Sequence, residues 1–190
     1  MDQVLMTREH NDANVLIVNR ELGAEEVRGL ITAFLSQEFD GTKNKDSRHI
    51  SRVNKMNAEI ADSERIQGLT PGTIPVASDH GGFELKTRVI ALLRKRGYDV
   101  RDCGVMIKER CDYPDYGKKV ADAVNSGACR RGIVICTTGM GMMMTANKFS
   151  RVGAALCQTP RHVVLARRLD ANVLAMGQKY VNESELEAML

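Results

Sequence analysis

Three short stretches carry residues whose types and spacing could do chemistry. In CTTGMG, Cys136 ends an apolar run and opens a glycine-bearing turn into a helix. A thiol there feels the positive end of the helix, which favours the thiolate, and the N–H groups of residues 137–141 can cradle an anion. A thiolate beside an anion nest suits a base that generates an enediolate. The plainer alternative is a buried structural cysteine next to a glycine turn. In SDHGG, Asp79 and His80 precede two glycines that let backbone approach a ligand, or else the aspartate simply caps a turn. In the first sixty residues, His10 and Asn11 stand just before an apolar run, and Arg48, His49 and Arg52 share a helical face. Arginines at i and i+4 can grip one phosphate, although a solvated basic face explains the same pattern.

These residues need elements to hold them. From residue 74 onward, short β-rich runs alternate with helical periods. The runs are TIPVA, YDVRDCG, GIVIC, RVGAALC and ANVLAMG. The helical stretches are FELKTRVIALLRKRG, DYPDYGKKVADAVNSG, MMMTANK, TPRHVVLARRL and NESELEAML. Pro114 suits the first turn of its helix, and GIVIC suits a strand buried on both faces. Such alternation predicts an α/β fold, a Rossmann-like three-layer sandwich with a parallel sheet, whose ligands gather at the carboxyl ends of the strands. SDHGG and CTTGMG both fall there. Residues 1–60 read as helix, strand (DANVLIV), helix, helix, and residues 61–73 as a polar linker. The pentapeptide DANVL occurs twice, at 12–16 and 170–174.

Composition narrows the classes. The 190 residues are 43% hydrophobic, without Trp, and carry a formal net charge of +3, too mild to announce nucleic acid. No apolar run is long enough to span a membrane and no signal peptide opens the chain, so the expectation is a cytoplasmic protein with no membrane partner. Five cysteines without paired spacing read as reduced thiols, not a zinc site. The Met residues at 140 and 142–144 read as packing. No GxGxxG follows a strand, which argues against a dinucleotide enzyme.

Taken together, SDHGGFELK, DYPDYGKKVADAV, GIVICTTGMGMMMTANK and VGAALC resemble the ribose-5-phosphate isomerase B family, which includes the galactose-6-phosphate isomerase subunits. The resemblance covers residues 74–190. REHNDANVL, AFLSQEFDG and SRHISRV resemble that family's C-terminal region, displaced to the front, as in a permuted member with a partly duplicated segment. The resemblance implies isomerisation of a sugar phosphate without metal or cofactor. Cys136 matches the base that moves a proton between C1 and C2, Thr138 the neighbouring hydroxyl, and Gly139 and Gly141 the turn whose amides hold the enediolate oxygen. Asp79, His80 and Tyr113 match residues that contact the sugar and its phosphate. His10 matches the histidine that opens the ring, Asn11 a substrate contact, and Arg20, Arg48 and Arg52 the phosphate arginines. A homodimer or homotetramer with shared sites is implied.

Two departures stand out. Thr137 replaces the usual glycine after the cysteine; a β-branched residue resists positive φ, so the expectation is a reshaped nest. In the second DANVL copy the His-Asn pair becomes Arg168-Leu169, and Arg20 is answered by Lys179. The leading expectation is an active isomerase of ribose 5-phosphate. A hexose-phosphate isomerase subunit and a non-catalytic sugar-phosphate-binding relative are the alternatives.

Overall fold

The computed structural model describes residues 1–18, 21–44 and 47–190, and its contacts divide them into two compact units, Met1–Lys55 and Met56–Leu190. The larger unit is built on five parallel strands: β1 (Ile74–Ser78), β2 (Val100–Asp102), β3 (Gly132–Cys136), β4 (Ala154–Leu156) and β5 (Val173–Gly177). Their order is β2-β1-β3-β5-β4. The chain therefore builds outward on one side of β1 and then returns to build on the other. The crevice at such a reversal lies at the carboxyl ends of β1 and β3, where open parallel sheets bind ligands. Ser78 of β1 is in register with Ile135 of β3, so the residues after them, Asp79 and Cys136, leave the sheet side by side.

The sequence explains these elements locally. All five residues of GIVIC are buried, as a central parallel strand requires. After β1, α5 (Phe83–Lys95) buries Leu85, Val89, Ile90 and Leu93 on one stripe, carries Arg94 and Lys95 in its last turn, and stops before Gly97, whose φ is +82°. α6 (Pro114–Asn125) starts on its proline, and α7 (Met140–Ala146) packs Met140 and Met142 inward. Thr159 caps α8 (Pro160–Arg168) by accepting from the His162 N–H at 3.3 Å. The chain ends in a 3-10 turn and the short α9 (Leu186–Met189). One charged group lies deep in this frame. The Lys86 ammonium, 2% exposed, donates to both Asp102 carboxylate oxygens at 2.9 and 2.8 Å and to the Val105 carbonyl at 2.6 Å. Its three donors are all used, which makes burial of the charge tolerable and ties α5 to β2.

The smaller unit is helical: α1 (Asp2–Asn11), α2 (Ala24–Ser36), α3 (Asp40–Lys43) and the start of α4 (Arg48–Asn57). The Arg8 guanidinium of α1 lies 5.6 Å from the centre of the Phe34 ring of α2. The strand expected at DANVLIV does not form. Asp12–Val18 belongs to no helix and pairs with no strand among the described residues, and it leaves Val15 and Ile17 73% and 90% exposed. A strand exists only through the hydrogen bonds of a neighbour, and the described elements of this unit are all helices. The division between units falls inside α4, ahead of the polar stretch 61–73, which itself contains a 3-10 turn at Asp62–Glu64. No helix among the described residues is long and apolar enough to cross a membrane.

Candidate active site

Cys136 ends β3 and is 5% exposed. The turn after it folds back so that the Gly139 N–H donates to Cys136 Sγ at 3.1 Å, and the Met140 N–H donates to Thr138 Oγ1 at 3.3 Å. Gly139 makes the turn possible. Its φ is +82°, and a Cβ there would come within 2.8 Å of the Met176 carbonyl carbon. Thr137 is not among the non-glycine residues with positive φ, so its β-branched side chain sits on ordinary backbone. Tyr113, buried at the start of α6, lays its ring against Gly141, where a Cβ would approach the ring carbons to 2.8–3.0 Å.

The neighbouring β1 turn supplies the other wall. Asp79 is buried and accepts from the Gly82 N–H at 3.1 Å, so it caps the turn and also faces the cysteine. His80 is half-buried, and its Nδ1 accepts from the Cys111 N–H at 3.3 Å. That contact fixes the proton of the neutral ring on Nε2. Cys111 is a positioning contact that sequence reasoning missed; it lies 31 residues from His80, and no local signal joins them.

The thiol's electrostatics reverse the expectation drawn from its place before a helix. Burial first, and the Asp79 carboxylate second, push the Cys136 thiol above its ordinary value. Backbone N–H groups of Met142, Thr138 and Gly139 pull it down by less. α7 is only seven residues long and the sulfur is almost wholly out of water, so desolvation wins.

The first unit holds the second group of expected residues. His10, in the last turn of α1, stacks on His49 with ring centroids 4.3 Å apart and planes 25° from parallel. His49 is buried, its Nδ1 lies 2.9 Å from Asp40 Oδ2, and Ser47 Oγ bonds the same oxygen. Burial, then the positive charge that His49 can carry, hold His10 below the usual histidine range. Glu9 opposes this, Arg52 adds to it and Asp40 opposes it. Asn11 is buried beside His10, Arg48 is exposed with its Nε donating to His49 Nε2 at 3.4 Å, and Arg52 comes one turn later. Arg20 lies outside the described residues. Asp40, Ser47 and the bridging part of His49 were not among the expected site residues; a carboxylate nine positions before a histidine leaves no periodic trace.

Cys136, Thr138, Gly139, Gly141, Asp79, His80 and Tyr113 thus share one crevice in the larger unit, while His10, Asn11 and Arg52 gather around His49 in the smaller. An apolar cavity of about 170 Å³ in the larger unit, lined by Ile74, Leu93, Val163, Val173 and Met189, sits instead at the amino ends of the strands, away from all of this chemistry. No group of three or more metal-ligating side chains converges among the described residues.

The crevice places backbone N–H groups beside a buried thiol, an arrangement able to hold an anion next to a proton acceptor. The sequence profile of the Ribose/Galactose Isomerase family matches residues 74–190, more than half of the chain. Ribose-5-phosphate isomerase B of Escherichia coli is 44% identical over 109 residues, covering 57% of this chain and 73% of the relative. A 4-deoxy-4-sulfo-D-erythrose isomerase of a Clostridium species is 40% identical over 104 residues, 54% of this chain and 65% of that one. Among solved structures, ribose-5-phosphate isomerase B of Clostridium thermocellum superposes with a TM-score of 0.60 at 45% identity, covering 62% of this chain and 80% of that chain.

Proposed function

The chain belongs to the ribose/galactose isomerase family and is an aldose–ketose isomerase, and from that premise we propose that it interconverts ribose 5-phosphate and ribulose 5-phosphate with Cys136 as the base. The observation that carries the reading is the sulfur of Cys136, buried at the end of β3 with an N–H of the next turn directed at it.

His10, whose charged form is disfavoured by burial, takes the anomeric hydroxyl proton and passes it to the ring oxygen as the C1–O4 bond breaks, so the furanose opens to the aldehyde. Asn11 holds the open chain. The Cys136 thiolate removes the proton on C2, and the electron pair moves through the C1–C2 bond onto O1. As the sulfur takes up the proton it gives up the Gly139 N–H, and the amides of the Gly139–Gly141 turn stabilise the resulting enediolate. Thr138 relays a proton between O1 and O2, and Cys136 returns its proton to C1, giving the ketose. A thiol whose pKa is raised is a strong base once ionised, which suits abstraction from carbon. Asp79 and Tyr113 contact the sugar hydroxyls. His80, through its Nε2–H, contacts the phosphate with Arg20, Arg48 and Arg52. A homodimer or homotetramer with shared sites, in the cytoplasm, goes with this reading.

The family description also names galactose, which supports a six-carbon aldose 6-phosphate as the second substrate class. A coupled assay on the whole chain tests the proposal. Cys136→Ala is expected to abolish turnover in both directions. His10→Asn is expected to slow the aldose direction far more than the ketose direction, because ribulose 5-phosphate has no free hydroxyl able to close a ring. Full activity in both variants would sink the mechanism.

A further inference from the structure

Thr137 lies between two buried residues, Cys136 and Thr138, yet its own side chain is exposed. Its backbone is not free to turn away. The Thr137 carbonyl accepts from the Lys179 N–H at 3.1 Å, and the Cys136 carbonyl accepts from the Gln178 N–H at 2.9 Å, so the residues just after β5 clamp the peptide on both sides. The side chain lies against Gly81, in the turn that follows β1. A Cβ built on Gly81 would fall on the Thr137 hydroxyl and come within 3.3 Å of its Cβ. Thr137 therefore occupies the space that a side chain at residue 81 would take, directly over the turn that carries Asp79 and His80.

Among the described residues, no protein group engages the Thr137 hydroxyl in a hydrogen bond. A donor–acceptor without a protein partner, one residue from the base and held over the histidine turn, is open to whatever lies along that line. In the proposed isomerisation, that is the middle of the sugar chain, between the reacting C1–C2 pair and the phosphate. We propose that Thr137 is a specificity-determining residue: its hydroxyl bonds a sugar hydroxyl beyond C2, and its Cβ and methyl limit the length of chain that fits between Cys136 and the His80 turn. The inference rests on the proposed isomerase reading and adds a contact to it. A hydroxyl that reads a hydroxyl, together with bulk that excludes one more carbon, are the two kinds of discrimination that a small pocket can make.

Three variants of the whole chain separate the two parts. Each is assayed on ribose 5-phosphate and on a six-carbon aldose 6-phosphate. Thr137→Val keeps the shape and removes the hydroxyl, and is expected to lower kcat/KM for the pentose phosphate about tenfold. Thr137→Ser restores the hydroxyl and is expected to stay within about threefold of the parent. Thr137→Gly removes both, and is expected to raise the hexose-to-pentose ratio of kcat/KM by about tenfold or more. An unchanged pentose rate in the valine variant overturns the hydroxyl contact, and an unchanged ratio in the glycine variant overturns the limit on length. If the parent turns over no aldose phosphate, or Cys136→Ala is as active as the parent, the isomerase reading falls and this inference with it. If the parent is active and Cys136→Ala dead while the Thr137 variants are silent, only the inference falls.

Discussion

The two DANVL copies begin alike and end differently. Each comes after a helix and turns on an aspartate with positive φ, 52° at Asp12 and 61° at Asp170. In each, a guanidinium from the helix bonds the carbonyl of the next alanine, Arg8 to Ala13 at 2.6 Å and Arg167 to Ala171. Then they part. Val173 is buried in β5 between β3 and β4, whereas Val15 is exposed and unpaired among the described residues. The shared letters specify the turn, not the strand. The residues beyond the pentapeptide decide the strand. Ala175 is fully buried where the first copy has Ile17, and Gly177 packs so that a Cβ would come within 2.5 Å of the Thr138 carbonyl carbon. The first copy offers Asn19 at that place. A sheet position has to accept every residue along its length, and only the second copy meets that condition.

The largest test of this contrast makes the second copy resemble the first. Gly177→Asn drives a side chain into the Thr138 backbone, and is expected to cost at least about 3 kcal/mol in urea unfolding and to abolish activity, since the same turn carries Cys136. A stable, active variant would break the idea that Gly177 decides the matter. Next come the flanking residues: His10→Asn is expected to lower aldose turnover about a hundredfold, whereas Leu169→Asn, at an 85% exposed position in the second copy, leaves turnover unchanged. Equal losses would mean that the residues flanking the first copy have no part in turnover beyond those flanking the second. Truncating the paired valines measures the sheet itself. Val173→Ala should cost about 2 kcal/mol by lost burial and cavity, and Val15→Ala no more than about 0.5 kcal/mol.

The smallest effect is one of pH. Because folding lowers the His10 pKa, the unfolded chain binds its proton more readily than the folded one. Stability therefore falls as pH drops through about 6.5, the unfolded value, and does not recover below it. His10→Gln should flatten that part of the profile in chemical denaturation at pH 5 to 8. At the other end of the scale, the raised Cys136 thiol predicts that its alkylation by iodoacetamide keeps accelerating beyond pH 9, without a plateau near 7, when tracked by peptide mass spectrometry.

Much of the larger unit is legible in its sequence. Each strand and helix there is marked by a period, a cap or a glycine, and parallel alternation leaves few topologies, so Asp79 and Cys136 fall at the strand ends as expected. DANVLIV misleads because a strand's pattern is local and its pairing is not. The direction of the thiol shift misleads for a related reason: a helix start is visible in letters, but the depth of burial that outweighs it is not. The His10, His49 and Asp40 cluster joins three residues from different elements, and only packing brings them together.

The buried ammonium of Lys86 has a practical corollary. With every N–H bond committed to Asp102 and the Val105 carbonyl, and 2% of the residue reaching water, it is shielded from acylating reagents while α5 stays seated on β2. Its labelling rate, set against that of exposed Lys95 on the same helix, becomes a clock for how often this side of the sheet opens, readable in the native protein without any denaturant.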